Sequence, residues 1–329
     1  MLINNITELR DYIPASVTLN FGDIKPKIRQ VEREVIIRIF GQPIYDRLTT
    51  VHPLTASDTS LKNLLAEAVS HLALLEYIPI GQVQFDSAGI RIASTEQMKT
   101  AFEWQIDELK TTCSRQGWAA IESALGICEQ LPAGTLQDLW TATETYTLST
   151  QNLISNLRQF EQFAHLQGSR VMFNKLIPTI ADQQDEVIIP AIGQSLFNSM
   201  MQVDTEEDPN RIAFLYKAKK LASKALAYLT LGVGFQDTLL ILSDNGPLVI
   251  EAMQSRLAKA VKSAPTELIS AIATTYRSRG AAALKELIDY CQSVSDVLVE
   301  YQESPNFISV AGQTDHIARN DPNWGIAFF

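Results

Sequence analysis

The stretch FGDIKPKIRQVEREVIIRIFGQPIYDRL, from Phe21 to Leu48, recurs in altered form as FNKLIPTIADQQDEVIIPAIGQSLFNSM, from Phe173 to Met200. When the two are aligned with an offset of 152, nine of the 28 positions are identical. The identities include a proline, a glutamate, a glycine and a glutamine at fixed spacing. Two unrelated amphipathic helices would match only in the type of their apolar residues, so the stretch predicts a tandem duplication.

The similarity extends beyond the quoted stretch, to a repeated unit of about 130 residues, which is the size of an ordinary domain. Further matched pairs are 74–81 with 225–232 and 116–129 with 279–292, which align Gly117 with Gly280 and Cys128 with Cys291. The predicted fold class is mainly α, with two tandem duplicated helical-bundle modules, each carrying a small β-hairpin, and an extended C-terminal tail.

Four segments follow from this division of the chain. The modules are residues 1–130 and 152–296. The threonine-rich stretch 131–151 between them is predicted to be a linker, because it is polar and lacks an apolar period. Residues 297–329 have little periodicity and two prolines, so they are predicted to form an extended tail.

Within the first module, apolar residues at helical spacing predict a helix with one core-facing stripe. The stripe consists of Ile24, Ile28, Val31, Val35 and Ile39. Pro26 is expected in the first turn of this helix, where its missing N–H does no harm, and Gly41 is expected as its C-terminal cap. In the second module Pro190 replaces Arg38, which predicts a kink or break there.

The remaining elements are predicted as one set per module. A third helix is expected over about 61–78 and 211–231. Alternating apolar residues around a glycine predict hairpins over 83–93 and 239–250, with turns at Gly89 and Gly246. A long helix over 96–114 or 248–263 and a separate last helix complete each module.

Composition limits the classes of function. The 329 residues are 46% hydrophobic and 19% charged, which is a normal globular balance, and the formal net charge is −10. An acidic surface repels phosphate, so a sequence-specific nucleic-acid binder is not expected. The three cysteines form no CxxC pair, and the N-terminus lacks a signal peptide pattern, so we expect a cytoplasmic protein without disulfides, structural zinc or membrane spans.

Candidate chemical sites are few. Glu67 and His71 are spaced i,i+4, but a surface ion pair or a core histidine explains them better than half a metal site. Gly232 and Gly234 do not complete a phosphate-binding motif. Neither a GxSxG motif nor a recognisable Cys–His pairing is present in the sequence. We therefore predict no catalytic, cofactor-binding or metal-binding residue, no cofactor, and a protein that is not an enzyme.

The C-terminal tail supplies the candidate partner-binding residues. It contains Trp324, Ile326, Phe328 and Phe329, although a solvated tail is normally polar throughout. We expect these side chains to dock on a neighbouring subunit or another partner; the alternative is that the tail folds back onto its own second module.

Three quoted stretches carry a resemblance to a known family. FGDIKPKIRQVEREVI, SAGIRIASTEQMKTAFEWQIDEL and FNKLIPTIADQQDEVIIPAIG resemble an uncharacterised family found in Bacteroides and their phages and prophages, over nearly the whole chain. Each module is also similar, more loosely and through helix order, to the helical head–tail connector (adaptor) proteins of tailed phages. Those connectors are usually single modules, whereas this chain has two.

The resemblance implies a virion structural protein, assembled in the host cytoplasm. It would form a homo-oligomeric ring, of twelve copies by analogy, between the portal protein and the tail or neck proteins. DNA would pass through an acidic channel without sequence-specific binding. The alternatives are a soluble helical protein-binding module and another virion or tail component.

Overall fold

The computed structural model describes residues 1–14, 19–81, 83–86, 89–92, 102–236, 240–243, 246–249 and 266–309. The described chain is mainly helical, with two short strand pairs. It divides into two compact units. The first contains Met1–Gln151, Leu166–Ile177 and the strand pair after Gln236; the second contains Asn152–His165, Pro178–Gln236 and the described residues from Glu267 onward.

The first half of the chain runs from a short N-terminal helix to two small helices near residue 150. Its elements are α1 Ile6–Arg10, α2 Phe21–Val31, a π-helical segment Glu32–Ile37, α3 Arg38–Phe40, α4 Gln42–Thr50, α5 Ala56–Gly81, β1 Val83–Asp86, β2 Gly89–Ile92, α6 Glu103–Cys128, α7 Thr135–Thr141 and α8 Glu144–Thr150.

The second half presents the same kinds of element in the same order up to its last long helix, with a 3₁₀ turn added before its first long helix. Its elements are α9 Leu157–Phe160, α10 Arg170–Gln183, a π-helical segment Gln184–Ile188, α11 Ile189–Ile192, α12 Gln194–Met201, a 3₁₀ turn Val203–Thr205, α13 Pro209–Gln236, β3 Leu240–Ser243, β4 Gly246–Val249, α14 Thr266–Ser293 and a 3₁₀ segment Val299–Glu303.

Both strand pairs are antiparallel and lie where the hairpins are predicted. β1 pairs with β2, so that Asp86 faces Gly89, and β3 pairs with β4, so that Ser243 faces Gly246. Each glycine is therefore the first residue of a strand. The predicted long helix 248–263 is wrong at its start, because Leu248 pairs with Ile241 in the β3–β4 ladder; the rest of that prediction lies outside the described residues.

The predicted apolar stripe of the second helix holds for only half its length. Ile24, Ile28 and Val31 are buried as expected, but the next two fully buried apolar side chains are Ile36 and Phe40, not Val35 and Ile39. The π-helical segment explains the shift, because each π turn contains an extra residue and rotates the following side chains on the helix. The second half has the same shift, with Ile188 and Ile192 buried after its own π-helical segment.

The π-helical segments also place one polar side chain each inside the fold. The Glu32 carboxylate accepts a hydrogen bond from the Leu2 N–H at 2.5 Å and from the Tyr45 hydroxyl at 3.1 Å. At the corresponding position, the Gln184 side chain accepts from the Leu153 N–H at 2.8 Å. Both side chains are buried, and each satisfies a backbone donor of the segment that precedes the first helix.

Two expectations about prolines are wrong. Helix α2 begins at Phe21 after an Asn20 cap, so Pro26 lies inside the helix and not in its first turn. Pro190 is predicted to kink or break its helix, but the helical residues continue through it to Ile192. The change from π-helix to α-helix falls at Ile189, within one position of the corresponding change at Arg38 in the first half. The change in helix type therefore belongs to the repeated geometry and not to proline.

The last predicted helix is not a separate element. Helix α6 continues through Gly117 without a break, and α14 continues through Gly280. A side chain at Gly117 would place its Cβ 2.7 Å from Leu72 Cγ of α5, so glycine permits the close packing of α5 on α6. This pair of long helices, together with α2, forms the core of the first unit.

Candidate interaction surface

The predicted linker is a packed part of the first unit. Residues 135–150 form α7 and α8, which we call the first strap, and its Trp140 is buried against Phe40 with ring centroids 6.2 Å apart. Tyr146 also contacts Trp140, in an edge-on arrangement with ring centroids 6.3 Å apart. The segment could not be an extended connector, because Leu136 and Trp140 are apolar side chains that the core removes from water.

The beginning of the predicted tail is packed in the same way. Residues 299–309, which we call the second strap, start with a 3₁₀ turn that buries Tyr301 completely. Phe307 contacts Tyr301 edge-on, with centroids 6.1 Å apart. An extended tail from residue 297 is therefore wrong up to Ser309, and residues 310–329 lie outside the described part of the chain.

Each strap lies over a glycine whose backbone conformation excludes other residues. Gly41 has φ 83° and ψ 152°, and Gly193 has φ 86° and ψ 149°, a region used almost only by glycine. A Cβ at Gly41 would lie 3.3 Å from Thr143 Cγ2, and one at Gly193 would lie 3.5 Å from Ser304 Cα. The prediction that Gly41 caps its helix is confirmed, and each strap covers such a cap.

Hydrogen bonds stabilise the first strap internally and hold the second strap against α11. The Thr143 hydroxyl donates to the Trp140 carbonyl at 2.7 Å, and the Ser304 hydroxyl donates to the Ala191 carbonyl at 3.0 Å. Asn306 Nδ2 donates to the same Ala191 carbonyl at 2.9 Å. These bonds satisfy carbonyl groups at the ends of helices, which would otherwise lose their solvent partners on burial.

The second strap is also held by an ion pair near its start and by hydrogen bonds to its last residues. Glu300 accepts from the Ser199 hydroxyl at 2.8 Å and forms an ion pair with Arg211. The Gln292 side chain bonds both the N–H and the carbonyl of Ile308, at 2.9 and 2.8 Å. The strap is therefore held along its length through residue 308.

The straps could have been recognised in the sequence. Trp140, Thr143 and Tyr146 have the same spacing as Tyr301, Ser304 and Phe307: an aromatic residue, a hydroxyl residue three positions on, and another aromatic residue three positions further. The pattern is short and lies outside both predicted modules, so an alignment centred on the helices does not reveal it.

The N-terminal end of α6 carries exposed apolar side chains, which we call the α6 tip. Phe102 is 69% exposed, Trp104 is 64% exposed and Leu109 is 45% exposed. As aromatic residues on a helix, Trp104 and Trp118 are predicted from the sequence to lie at core-like positions. The prediction is wrong for Trp104, which is exposed and projects from the side of the helix opposite Phe102 and Leu109. Trp118, on the same helix, does pack partly against the core.

The corresponding end of the second unit is built differently. Since α6 and α14 are both uninterrupted and align at Gly117 and Gly280, the position of Trp104 is occupied by Glu267, which is exposed. Nearby aromatic side chains are turned inward: Phe235 is buried and stacks on Tyr276, with centroids 5.9 Å apart and an interplanar angle of 18°. At this position, and among the residues that the structure describes, the exposed tryptophan is thus found in the first unit and not in the second.

Burial shifts the pKa of several titratable side chains. The three cysteines are free and buried, and burial raises the pKa of Cys128 and of Cys291 to about 12. Burial lowers the pKa of His71, with Glu67 opposing the shift, so His71 is a neutral core histidine at pH 7. The residues that the structure describes contain no group of three or more His, Cys, Asp or Glu that could hold a metal ion.

The structure describes only some of the other predicted site residues. Gly89 and Gly246 are the first residues of β2 and β4, whereas Trp324, Ile326, Phe328 and Phe329 lie outside the described residues.

One helix in the described chain, α5, is long and apolar enough to cross a membrane by length and composition alone. More than half of its most apolar stretch is buried in the protein, as in the core helix of a folded domain.

Two separate regions of the chain match one protein family. The model of the "Family of unknown function (DUF6712)" matches residues 36–126 and 188–309, which together make up more than half of the chain. The chain belongs to this family. The two matches begin at Ile36 and Ile188, which are corresponding positions of the quoted stretches, and the second match includes the second strap. Comparison with curated proteins and with solved structures found no match.

Proposed function

We propose that this member of the family is a virion structural protein, a head–tail connector that assembles into a ring between portal and tail, through which DNA passes. The observation that carries the proposal is the repeated module, because connectors resemble each half in helix order. We infer that the two regions matched by one family model are copies of a single module, each with its hairpin and its strap.

Matched details support the duplication beyond the order of helices. Both halves have a π-helical segment, a glycine with almost the same φ and ψ, and a buried polar side chain bonded to the N-terminal backbone. Such uncommon local geometry does not arise from amphipathic pattern alone. The straps extend each copy past the predicted module boundaries.

Surface properties support a role in assembly with DNA nearby. A net charge of −10 disfavours counterion-releasing contacts with phosphate, which suits a channel through which a duplex slides. The α6 tip offers large apolar side chains to a partner, and apolar surface of this kind marks protein–protein contacts. In this proposal the role is structural and not catalytic.

The α6 tip also favours a second candidate, a helical binding module that remains a monomer and engages one partner. The two functions differ in self-assembly. Light scattering after size exclusion, over a hundredfold range of protein concentration, is expected to give a single closed oligomer, and electron microscopy of that fraction is expected to show rings. A monomer at every concentration would contradict the ring and favour the binding module.

Location and DNA handling are tested separately. If the proposal is correct, mass spectrometry of purified phage particles will detect this chain in a fixed ratio to the portal protein. A duplex DNA probe will show no retention by the assembled protein at physiological salt. Absence from purified particles would contradict the virion role even if rings form.

A further inference from the structure

The first turns of α6 extend beyond the core of their own unit. Along one side of the helix, Phe102 and Leu109 continue the stripe that leads to the buried Cys113, but they are exposed. On the opposite side, Trp104 stands among exposed residues of the solvent face. The tip therefore presents large apolar side chains on two sides of the helix, beside exposed polar residues such as Glu108.

The second unit shows that the fold does not require this surface. Glu267 occupies the position of Trp104 on α14 and is exposed to solvent. A charged side chain is thus compatible with the helix at this position, so folding alone does not explain the tryptophan in the first unit. An exposed tryptophan that the fold does not need indicates a partner.

We propose that the α6 tip is the acceptor for residues 310–329 of a second copy of this chain. The donor stretch Trp324–Phe329 has four large apolar side chains in six residues, which matches the apolar character of the tip. Fourteen residues lie between Ser309 and Trp324, and the fifteen Cα–Cα steps that join the two can span up to roughly 50 Å, enough to reach a neighbouring subunit. A chain with both a donor and an acceptor makes the head-to-tail interface from which rings close.

This inference rests on the proposed self-assembly, and it is tested by complementation between two full-length variants. The acceptor variant is Trp104→Glu, which copies the residue of the second unit. The donor variant combines Phe328→Glu with Phe329→Glu. Each variant keeps one half of the interface and loses the other.

Each variant alone is expected to stay monomeric at protein concentrations where the wild type forms its oligomer. Loss of a tryptophan that is buried at the centre of an interface weakens association by roughly thirtyfold or more. Mixed in equal amounts, the two variants are expected to form a one-to-one dimer, because the intact tail of the first can occupy the intact tip of the second. Light scattering after size exclusion distinguishes monomer, dimer and closed oligomer.

The matched control is Val51→Glu, which places the same charge on another exposed apolar residue of the first unit. It is expected to assemble as the wild type does. Circular dichroism and thermal melting of Trp104→Glu are expected to match the wild type, since the side chain is mostly exposed.

The outcomes separate this inference from the proposed function. If the wild type forms rings and Trp104→Glu does so equally well, the acceptor is wrong and the ring stands. If both variants are monomeric but their mixture gives no dimer, the tail docks on its own chain or on another protein, and the inference is overturned. If the wild type itself is monomeric throughout, self-assembly and the inference fail together.

Discussion

Replacing Tyr301 by phenylalanine is expected to stabilise the protein, although it removes a hydroxyl group. Tyr301 is completely buried in the second strap, and its hydroxyl has no hydrogen-bond partner among the described residues. Burial raises the pKa of Tyr301 to about 12, so the group stays neutral at all ordinary pH values. Phenylalanine keeps the ring and its edge-on contact with Phe307 while removing the unsatisfied group.

The magnitude follows from the cost of burying a polar group without a partner, about 1–3 kcal/mol. Loss of a little packing volume offsets part of this, so the free energy of unfolding should rise by about 1 kcal/mol. For a unit of about 150 residues this corresponds to an increase in Tm of roughly 2–4 °C. Thermal melting and urea denaturation followed by circular dichroism measure both quantities.

The matched control is the same substitution at Tyr45. There the hydroxyl donates to the buried Glu32 carboxylate at 3.1 Å, a bond to a charged group worth about 1.5–3 kcal/mol. Tyr45→Phe should therefore destabilise the protein by about 1–2 kcal/mol. If Tyr301→Phe lowers stability as much as Tyr45→Phe does, the hydroxyl of Tyr301 has a partner and the account of the second strap is wrong.

Three further predictions concern the core, pH and the glycine caps. Ile28→Asp and Ile180→Asp place a charge at matched, fully buried positions, so each should cost several kcal/mol; unchanged melting of either would refute the assigned helix face. Burial opposes ionisation of Asp58, but hydrogen bonds from Arg47 at 2.7 and 2.8 Å and from Thr55 outweigh it and lower its pKa. The carboxylate therefore stabilises the fold above its unfolded pKa of about 3.9, and this contribution is lost as pH falls through the folded value. Asp58→Asn should cost about 3–5 kcal/mol at pH 7, and urea titrations should show that the difference from wild type shrinks below pH 4. Gly193→Ala should cost about 1–3 kcal/mol in the same assay because its φ is positive, whereas a melting temperature within error of wild type would contradict the strained geometry.

Much of the helical framework follows from sequence patterns because the responsible forces are local. The apolar spacing around Ile28 and Ile180 predicts helices and buried faces, and both residues are fully buried. The glycine after the periodic run predicts a helix end, and Gly41 is one. Period, capping and turn chemistry act within a few residues, so one sequence is enough to recognise them.

The candidate surface was recognised less well. Trp104 was assigned to the core because aromatic residues on helices usually pack inward, and its exposure depends on where the core of the first unit ends. Aligning Trp104 with Glu267 would have indicated that Trp104 is exposed. That alignment can be made only when α6 and α14 are known to be uninterrupted. The straps were assigned to a linker and a tail because their anchors, Trp140 and Tyr301, are single side chains without a helical period.

The sequence alone determined that this protein is mainly helical and that one stretch occurs twice. Both properties depend only on the spacing and identity of residues along the chain. Only the tertiary structure decided which residues face inward after the π-helical segments, since one extra residue per turn moves burial from Val35 to Ile36. It also decided that the straps are packed parts of the fold and not an extended linker and tail. Their burial depends on contacts with Gly41 and Gly193, about one hundred residues earlier, and a contact over that separation leaves no periodic trace in either segment.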